Sequence, residues 1–430
     1  MAPFCSPALL QALLDVEVAL ADAQAQVGMI PRDCAADIRA AARAEFFDAA
    51  TLAEAAKTDG NIVIPLIGVL TKQVAARNPD AARHVHRGAT SQDILDTAIV
   101  LQLRVARNDI ERELTAAMTA AAAFARKYAA TPIAGRTWLQ HGSPTTFGLK
   151  AAGWLDLIGR SRARFDLAIE QALVLQLGGA TGTLASMGAD GGAVADAMAR
   201  ALKLTVPPMP WHTQRDRLVS VAASVGVICG ALGKVGRDLT LLAQSEVMEA
   251  IDTLPGGRSS SMPHKQNPVH AVTAIAAATR APGLVATMLS AMPQEHERAA
   301  GGWQAEWQTL ADLIDITKES SVAIATALAN LRVHPVAMKR NLALNGGIAM
   351  AEALSTALTP HIGRREAMQH VEKLSRSAQR DGRSLRDVAS TDAELLKWLP
   401  AADIDRALAP ENFIGLAETF VANVLRAWAM

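Results

Sequence analysis

The chain has 430 residues, half of them apolar, which is enough for two or three domains with substantial cores. Its 42 basic and 42 acidic residues cancel, which excludes a global electrostatic attraction to nucleic acid or to an anionic membrane, so any cation the function needs must be placed locally. Cys5, Cys34 and Cys229 are scattered and form no CxxC pair, and MAPFCSPALL lacks a basic n-region; together these favour a reducing cytoplasm over secretion, a disulfide framework or a zinc site.

Residues 1–90 read as short helices, with Pro65 and Pro79 as breakers. From Gln92 to Thr131 there is no glycine or proline, and Leu95, Ile99, Leu103, Ile110, Leu114 and Met118 recur at helical spacing. That predicts one helix of roughly 58 Å at 1.5 Å per residue. Further long helices are expected over 145–177, 215–250, 269–292 and 302–331, and five such helices imply a bundle. The apolar run Leu218 to Gly233 is shorter than the roughly 20 residues of a membrane span, so it reads as a buried helix. Its Gly226, Gly230 and Gly233, continued by Gly236, form a ridge that lets neighbouring backbones approach, including those of other subunits. No strand alternation or repeat is evident. After Asn345-Gly346-Gly347 the helices shorten; Thr391 to Glu394 fits a capping box and Pro400 a stop. The expectation is an all-α chain with an N-terminal helical domain (1–90), a central long-helix bundle (91–345) and a small C-terminal helical domain (346–430).

Polar, glycine-bearing clusters interrupt the helices at Thr58 to Asn61, His86 to Asp93, Gly135 to Lys150 and Pro255 to Pro268. At bundle ends, free backbone N–H groups and helix dipoles favour anions. In the last cluster Asn267 is a good N-cap and Pro268 a good first helical residue, which puts Lys265 just before a helix N-terminus. Taking a proton from the carbon beside a carboxylate creates an enediolate, which only preorganised donors and cations make accessible. The same electropositive loop can stabilise a serine alkoxide and so let the hydroxyl act as a base. For an arbitrary Ser/Gly/Pro loop, turn residues in a linker are the ordinary explanation.

The residues here are not arbitrary. SSSMPHKQNP (Ser259 to Pro268) closely resembles the signature loop of the fumarase/aspartase superfamily, GSSxMPxKxNP, with Arg258 in place of the leading glycine. The resemblance implies that Ser259 is the general base and that Ser260, Met262, Lys265 and Asn267 contact substrate. HRGATSQDILDTA resembles a second conserved region and implies the same of Thr90, Ser91 and Gln92; GNIVIPL adds Gly60 and Asn61. GRTWLQHGSPTTFGLK places His141 at the position of the family's proposed general acid, with Gln140 beside it. WHTQRDR contributes Gln214 and Arg215, EHERAAGGWQAEW contributes Arg298, and ENFIGLAE also matches. The family implies a homotetramer whose central bundles share one core and whose active sites each draw on three subunits. No cofactor and no metal are expected: HExxH and clustered Cys/His are missing, and LGGATGTL lacks a preceding strand and a GxGxxG pattern.

Departures within the family narrow the chemistry. Gly60 and Trp138 stand where the adenylosuccinate branch has histidines, which weakens that alternative. The combined wording resembles the lactonising branch, which acts on a small polyanionic muconate-type substrate: one carboxylate adds across a conjugated double bond to give a γ-lactone, a β-elimination run backwards. A carboxylate leaving group needs no proton, so His141 is expected to orient or screen it rather than to act as an acid. The sequence leaves a carboxylate or a sulfonate substituent equally open, with Arg258, Gln266 and Trp138 as tuning positions. An inactive helical scaffold is disfavoured because all the motifs are intact. Lys265 leads the candidate cations, followed by Arg215, Arg298 and then Arg332; a single arginine is as readily a surface charge. Trp138, Trp154, Trp303 and Trp307 are packing residues by default. His86 is expected to bond only to backbone.

Overall fold

The computed structural model describes residues 6–254, 257, 259–262 and 265–430. The chain is 70% helical. In chain order come α1 (Pro7–Gln26), α2 (Arg32–Ala41), α3 (Ala49–Asp59), α4 (Val63–Arg77) and α5 (Pro79–Ala82), then α6 (Ser91–Lys127), α7 (Phe147–Ala172), α8 (Gly191–Leu202), α9 (Asp216–Leu242), α10 (Val269–Ala291) and α11 (Gly302–Ala329). The shorter α12 (Pro335–Leu342), α13 (Ala351–Ile362), α14 (Arg364–Asp381), α15 (Leu385–Ala389), α16 (Ala401–Ala407) and α17 (Ala417–Ala427) follow.

Three of the five predicted long helices, α6, α10 and α11, agree with their expected bounds to within a few residues. The other two are shorter for identifiable reasons. α7 starts within two residues of its expected bound but ends at Ala172 and not 177, because Leu173 O and Leu175 N pair with Thr205 in a short parallel bridge. α9 stops at Leu242, where the Val247 and Met248 N–H groups turn back to Gln244 O and Met248 adopts φ 50°. No glycine or proline marks that stop, so the apolar pattern alone runs on to residue 250. The expectation of no strands also fails: β1 (Pro132–Thr137) pairs antiparallel with β2 (Gln140–Thr146), and β3 (Ala250–Asp252) with β4 (Leu331–Val333). Alternation is weak in such short ribbons, and β1/β2 carries a bulge between Ala134 and Arg136.

Of the two predicted breakers, Pro79 does separate α4 from α5, as the first residue of α5. Pro65 instead lies in the first turn of α4, where a missing N–H costs nothing, and Pro400 follows the turn that ends at Lys397 and serves as N-cap of α16. The capping residue near 391 is Asp392, whose Oδ1 accepts from Leu395 N, while the Thr391 hydroxyl donates back to Asp387 O and Val388 O. Helix α10 begins at Val269, and Asn267 ties the loop instead: its N and Nδ2 both donate to Gly257 O. Arg258 and His264 lie outside the described residues.

The chain divides into two compact units, each built from three segments. The first comprises Met1–Arg112, Ser161–Gly230 and Ala277–Glu319. One of its core clusters includes Leu13, Leu14, Leu20, Ile38, Leu66, Leu70 and Ile94. Ser6 opens α1 by accepting from Leu9 N, with Pro7 at the first helical position. The second unit comprises Glu113–Arg160, Ala231–Ala276 and Ser320–Met430. There Phe147 stands edge-on to Phe124, Tyr128 and Trp154, and Leu354, Leu358, Val371, Leu374 and Ile404 form a core under α13 and α14.

Cross-helix contacts within the units tie the long helices side by side. Arg107 reaches Asp166 between α6 and α7, and Lys318 reaches Asp109 between α11 and α6. The glycine ridge of α9 brings backbone close at Gly226 and Gly236. A Cβ on Gly226 would fall 2.6 Å from Val285, and one on Gly236 would fall 2.7 Å from Ala271 O, both on α10, whereas Gly230 faces open space. By length and composition α9 and α10 could each cross a membrane, but the most apolar window of α9 is 67% buried, as expected of a core helix; that of α10 is only 22% buried.

Candidate active site

The signature loop hangs between β3 and α10 in the second unit. Its stem is clasped by His270 Nδ1 at 2.6 Å from Asp252 Oδ2, and by Thr253, whose N and Oγ1 both donate to Asn330 O. Within the loop, Ser259 Oγ accepts from Met262 N at 3.0 Å and from Ser261 N at 3.3 Å. Lys265 N donates to Met262 O, so the turn is wound around the serine oxygen. Two backbone donors aimed at a hydroxyl oxygen favour its anion, the requirement for a serine that exchanges protons with carbon. Ser259 is half-buried, while Ser260, Met262 and Lys265 are exposed.

His141 lies on β2 opposite Arg136 of β1. Arg136 is already occupied: its Nη1 and Nη2 donate at 2.9 and 2.8 Å to Glu249, a fully buried carboxylate that also accepts from Asn341 Nδ2. Burial pushes the His141 pKa down and the Arg136 charge adds to this, with Glu249 opposing, so the neutral imidazole is favoured. That suits an orienting group more than an acid. At the hairpin tip, Trp138 and Leu139 have φ 53° and 64° and are 96% and 78% exposed. Bulky residues rarely adopt two successive left-handed conformations. The default reading of Trp138 as a packing residue is therefore overturned within this chain, whereas Trp154 and Trp303 are buried. Gln140 ends the same turn, paired with Thr137.

The remaining predicted site residues belong to the first unit. Gly60 ends α3 with φ 80°, and Asn61 Oδ1 caps α4 by accepting from Val63 N and Ile64 N. Thr90 and Ser91 are half-buried at the start of α6. Gln92 is buried and bridges three groups: Nε2 donates to Asp96 Oδ2 and to His212 O, and Oε1 accepts from Arg298 Nε at 3.3 Å. The exposed Arg298 also donates from Nη2 to Ala180 O. Gln214 is exposed and pairs with Pro293 in an isolated bridge.

Arg215 lies in the protein interior. Its guanidinium is fully buried, held by Asp96 at 2.6 and 3.1 Å and by Glu306 at 2.6 to 3.1 Å, and it stacks on Trp211. Burial opposes the charge, but the two carboxylates outweigh it and hold the pKa above the ordinary arginine value. Every donor direction faces a carboxylate or a carbonyl, so the expected substrate cation is a structural one. His86 is likewise corrected: its Nδ1 lies 2.6 Å from the buried Glu17 Oε1 rather than on backbone.

Sequence reasoning passed over a densely hydrogen-bonded group in this unit. Asp93 Oδ1 accepts from Gln176 Nε2, Gly178 N and His212 Nε2, and Oδ2 accepts from Thr90 N and Gly179 N. Burial pushes the Asp93 carboxyl up, but His212 foremost, then Gln176 and the Thr90 N–H, overcome it and hold the group below the usual carboxylate range. The Thr90-x-x-Asp93 spacing of a capping box was the available signal. The glycine run 177–184 is thus an anchored loop around Asp93. Among the described residues no cluster of three or more His, Cys, Asp or Glu side chains is arranged to hold a metal ion.

Thus Gly60, Asn61, Thr90, Ser91, Gln92, Gln214, Arg215 and Arg298 fall in one unit, and Gln140, His141, Ser259, Ser260, Met262, Lys265 and Asn267 in the other. A lyase family model matches residues 4–283, and an adenylosuccinate lyase C-terminus model matches 347–424. The chain is 46% identical over 426 residues to a Pseudomonas aeruginosa 3-carboxy-cis,cis-muconate cycloisomerase, covering 99% of this chain and 93% of that one. It is 39% identical to a nitrosuccinate lyase of Streptomyces davaonensis over 96% and 89% of the two chains. The crystal structure of the 3-carboxy-cis,cis-muconate lactonizing enzyme from Pseudomonas putida superposes with a TM-score of 0.93 at 42% identity, covering 99% of this chain and 98% of that one. With a family model spanning more than half of its length and relatives matching nearly all of it, the chain belongs to the lyase family of the fumarase/aspartase superfamily.

Proposed function

We propose that the protein is a cycloisomerase that converts 3-carboxy-cis,cis-muconate, or a closely related 3-substituted muconate, to its γ-lactone. The observation that carries the mechanism is the Ser259 oxygen held between the Met262 and Ser261 N–H groups. A substrate carboxylate oxygen attacks the conjugated double bond. The displaced electron pair moves onto the carbon beside a second carboxylate, giving an enediolate, and the Ser259 hydroxyl delivers a proton to that carbon. Lys265 and the loop N–H groups stabilise the enediolate and the serine alkoxide. Neutral His141 orients the attacking carboxylate, which requires no proton.

The site is completed by other copies of the chain in a homotetramer built on the long-helix bundle (91–345), flanked by smaller helical domains at 1–90 and 346–430. Two features support this. α10 leaves most of its apolar window uncovered, with Val272 and Leu289 each 52% exposed, and the β1/β2 tip presents Trp138 and Leu139 to solvent. Such apolar area is costly unless covered. The substituent is tested by mixing the purified protein with 3-carboxymuconate, its 3-sulfo analogue, nitrosuccinate and adenylosuccinate in parallel. Closure of the lactone interrupts the diene and removes its ultraviolet absorbance. Loss of diene absorbance without fumarate release supports the assignment; turnover of only the succinate derivatives overturns it.

A further inference from the structure

In the second unit, a cavity of about 400 Å³ lies between the β1/β2 hairpin, the start of α7 and the end of α9, and its lining includes Arg136, His141, Lys150, Asp238 and Asn341. It is large enough for a small polyanion. A roomier cavity of about 700 Å³ along α13 and α14 gathers no comparable chemistry.

Of the cations at this cavity, one is uncommitted. Arg136 is locked bidentately to Glu249. Asp238, the carboxylate whose charge favours the Lys150 ammonium most, already accepts from Trp154 Nε1 and from Lys234. Lys150, in contrast, forms no ion pair with any carboxylate of the described residues, although the structure half-buries it. It also sits in the first turn of α7, where the helix dipole is positive and disfavours a cation. Burial pushes its pKa down; Lys234 and Arg136 lower it further and Asp238 and Glu249 oppose this. A solvated surface lysine is found in none of these circumstances. A partly desolvated ammonium, facing a cavity beside a neutral imidazole and ion-paired to none of the nearby carboxylates Asp238, Glu246 and Glu249, is the complement of an anionic ligand group.

We propose that Lys150 binds a carboxylate of the substrate within the cavity that it shares with His141. Lys150 closes the GRTWLQHGSPTTFGLK stretch, but its place there gave it no role; the cavity and the missing ion pair do. Its identification as a substrate contact rests on the lactonising assignment for the identity of the anion; the site itself does not. Lys150 contributes ground-state and transition-state binding alike, so its loss is read in KM more than in kcat.

Two measurements test this. Lys150→Met should raise KM for 3-carboxymuconate by about tenfold or more, the worth of one charge-assisted contact, while kcat stays within about threefold, and Lys150→Arg should restore much of the loss. On the wild-type protein, trace acetylation read by mass spectrometry should show Lys150 protected by saturating propane-1,2,3-tricarboxylate. An unchanged KM in Lys150→Met, a fall in kcat alone, or acetylation of Lys150 indifferent to the tricarboxylate would each overturn the proposal. Protection by the tricarboxylate in a protein that fails to lactonise muconates supports the site while removing the cycloisomerase assignment.

Discussion

His212 Nε2 lies 2.8 Å from Asp93 Oδ1, and the same carboxylate gathers the N–H groups of Thr90, Gly178 and Gly179. One buried anion thereby fixes the start of α6, the glycine-rich loop and the WHTQRDR segment. Asp93→Asn leaves these donors facing a group that itself carries N–H. It should cost about 3–5 kcal/mol, read as a lower urea midpoint, and reduce activity through misplacement of Gln92 and Arg298.

Arg215 sits between Asp96 and Glu306 with no exposed surface. Arg215→Met strands two buried carboxylates and should destabilise the protein by about 3–5 kcal/mol. If Arg215 is structural, partial unfolding lowers the amount of active enzyme but leaves the KM of the folded fraction unchanged. A raised KM at full stability would return it to the substrate site.

The two residues show where the sequence was informative and where it was not. Arg215 lies in a recognisable motif, but nothing in WHTQRDR tells whether a guanidinium meets a substrate or Asp96, 119 positions away. Asp93 was in view within HRGATSQD and its spacing to Thr90 fits a cap, yet its partners Gln176 and His212 come from distant segments. The long helices α6, α10 and α11 were legible because their apolar periodicity runs uninterrupted. The C-terminal ends of α7 and α9 were not, since a bridge to Thr205 and a carbonyl-satisfying turn decide them without a glycine or proline signal. The signature loop was the clearest feature in the sequence; Lys150 was in view at the end of GRTWLQHGSPTTFGLK, but only the fold shows that it faces a cavity without an ion pair.

The His86–Glu17 contact makes stability depend on pH. Burial lowers the His86 pKa, but the Glu17 charge and hydrogen bond raise it by more, so the folded value lies above the unfolded one of about 6.5. Its contribution is fully present below the unfolded pKa and is lost as pH rises through the folded pKa. Urea midpoints should therefore show a component of stability that disappears on raising the pH upward from about 6.5, and His86→Gln should remove that component.

Trp138 and Leu139 hold left-handed conformations at the β1/β2 tip while exposed. Replacing them together by Asn-Gly, the preferred residues for such a turn, should relieve about 1–2 kcal/mol of backbone strain at each position. If the tip is kept for contact with another copy, the double variant should also shift the light-scattering mass toward smaller species and lose turnover. A variant with native mass and native rate would assign the two side chains no part in assembly or catalysis.

The central claim concerns one oxygen atom. Ser259→Ala should leave the circular dichroism spectrum and urea midpoint unaltered and lower kcat for muconate lactonisation by about a hundred- to ten-thousand-fold, whereas His141→Asn should cost no more than about tenfold. A Ser259→Ala protein that closes the lactone within about threefold of the wild-type rate would contradict proton delivery from this loop.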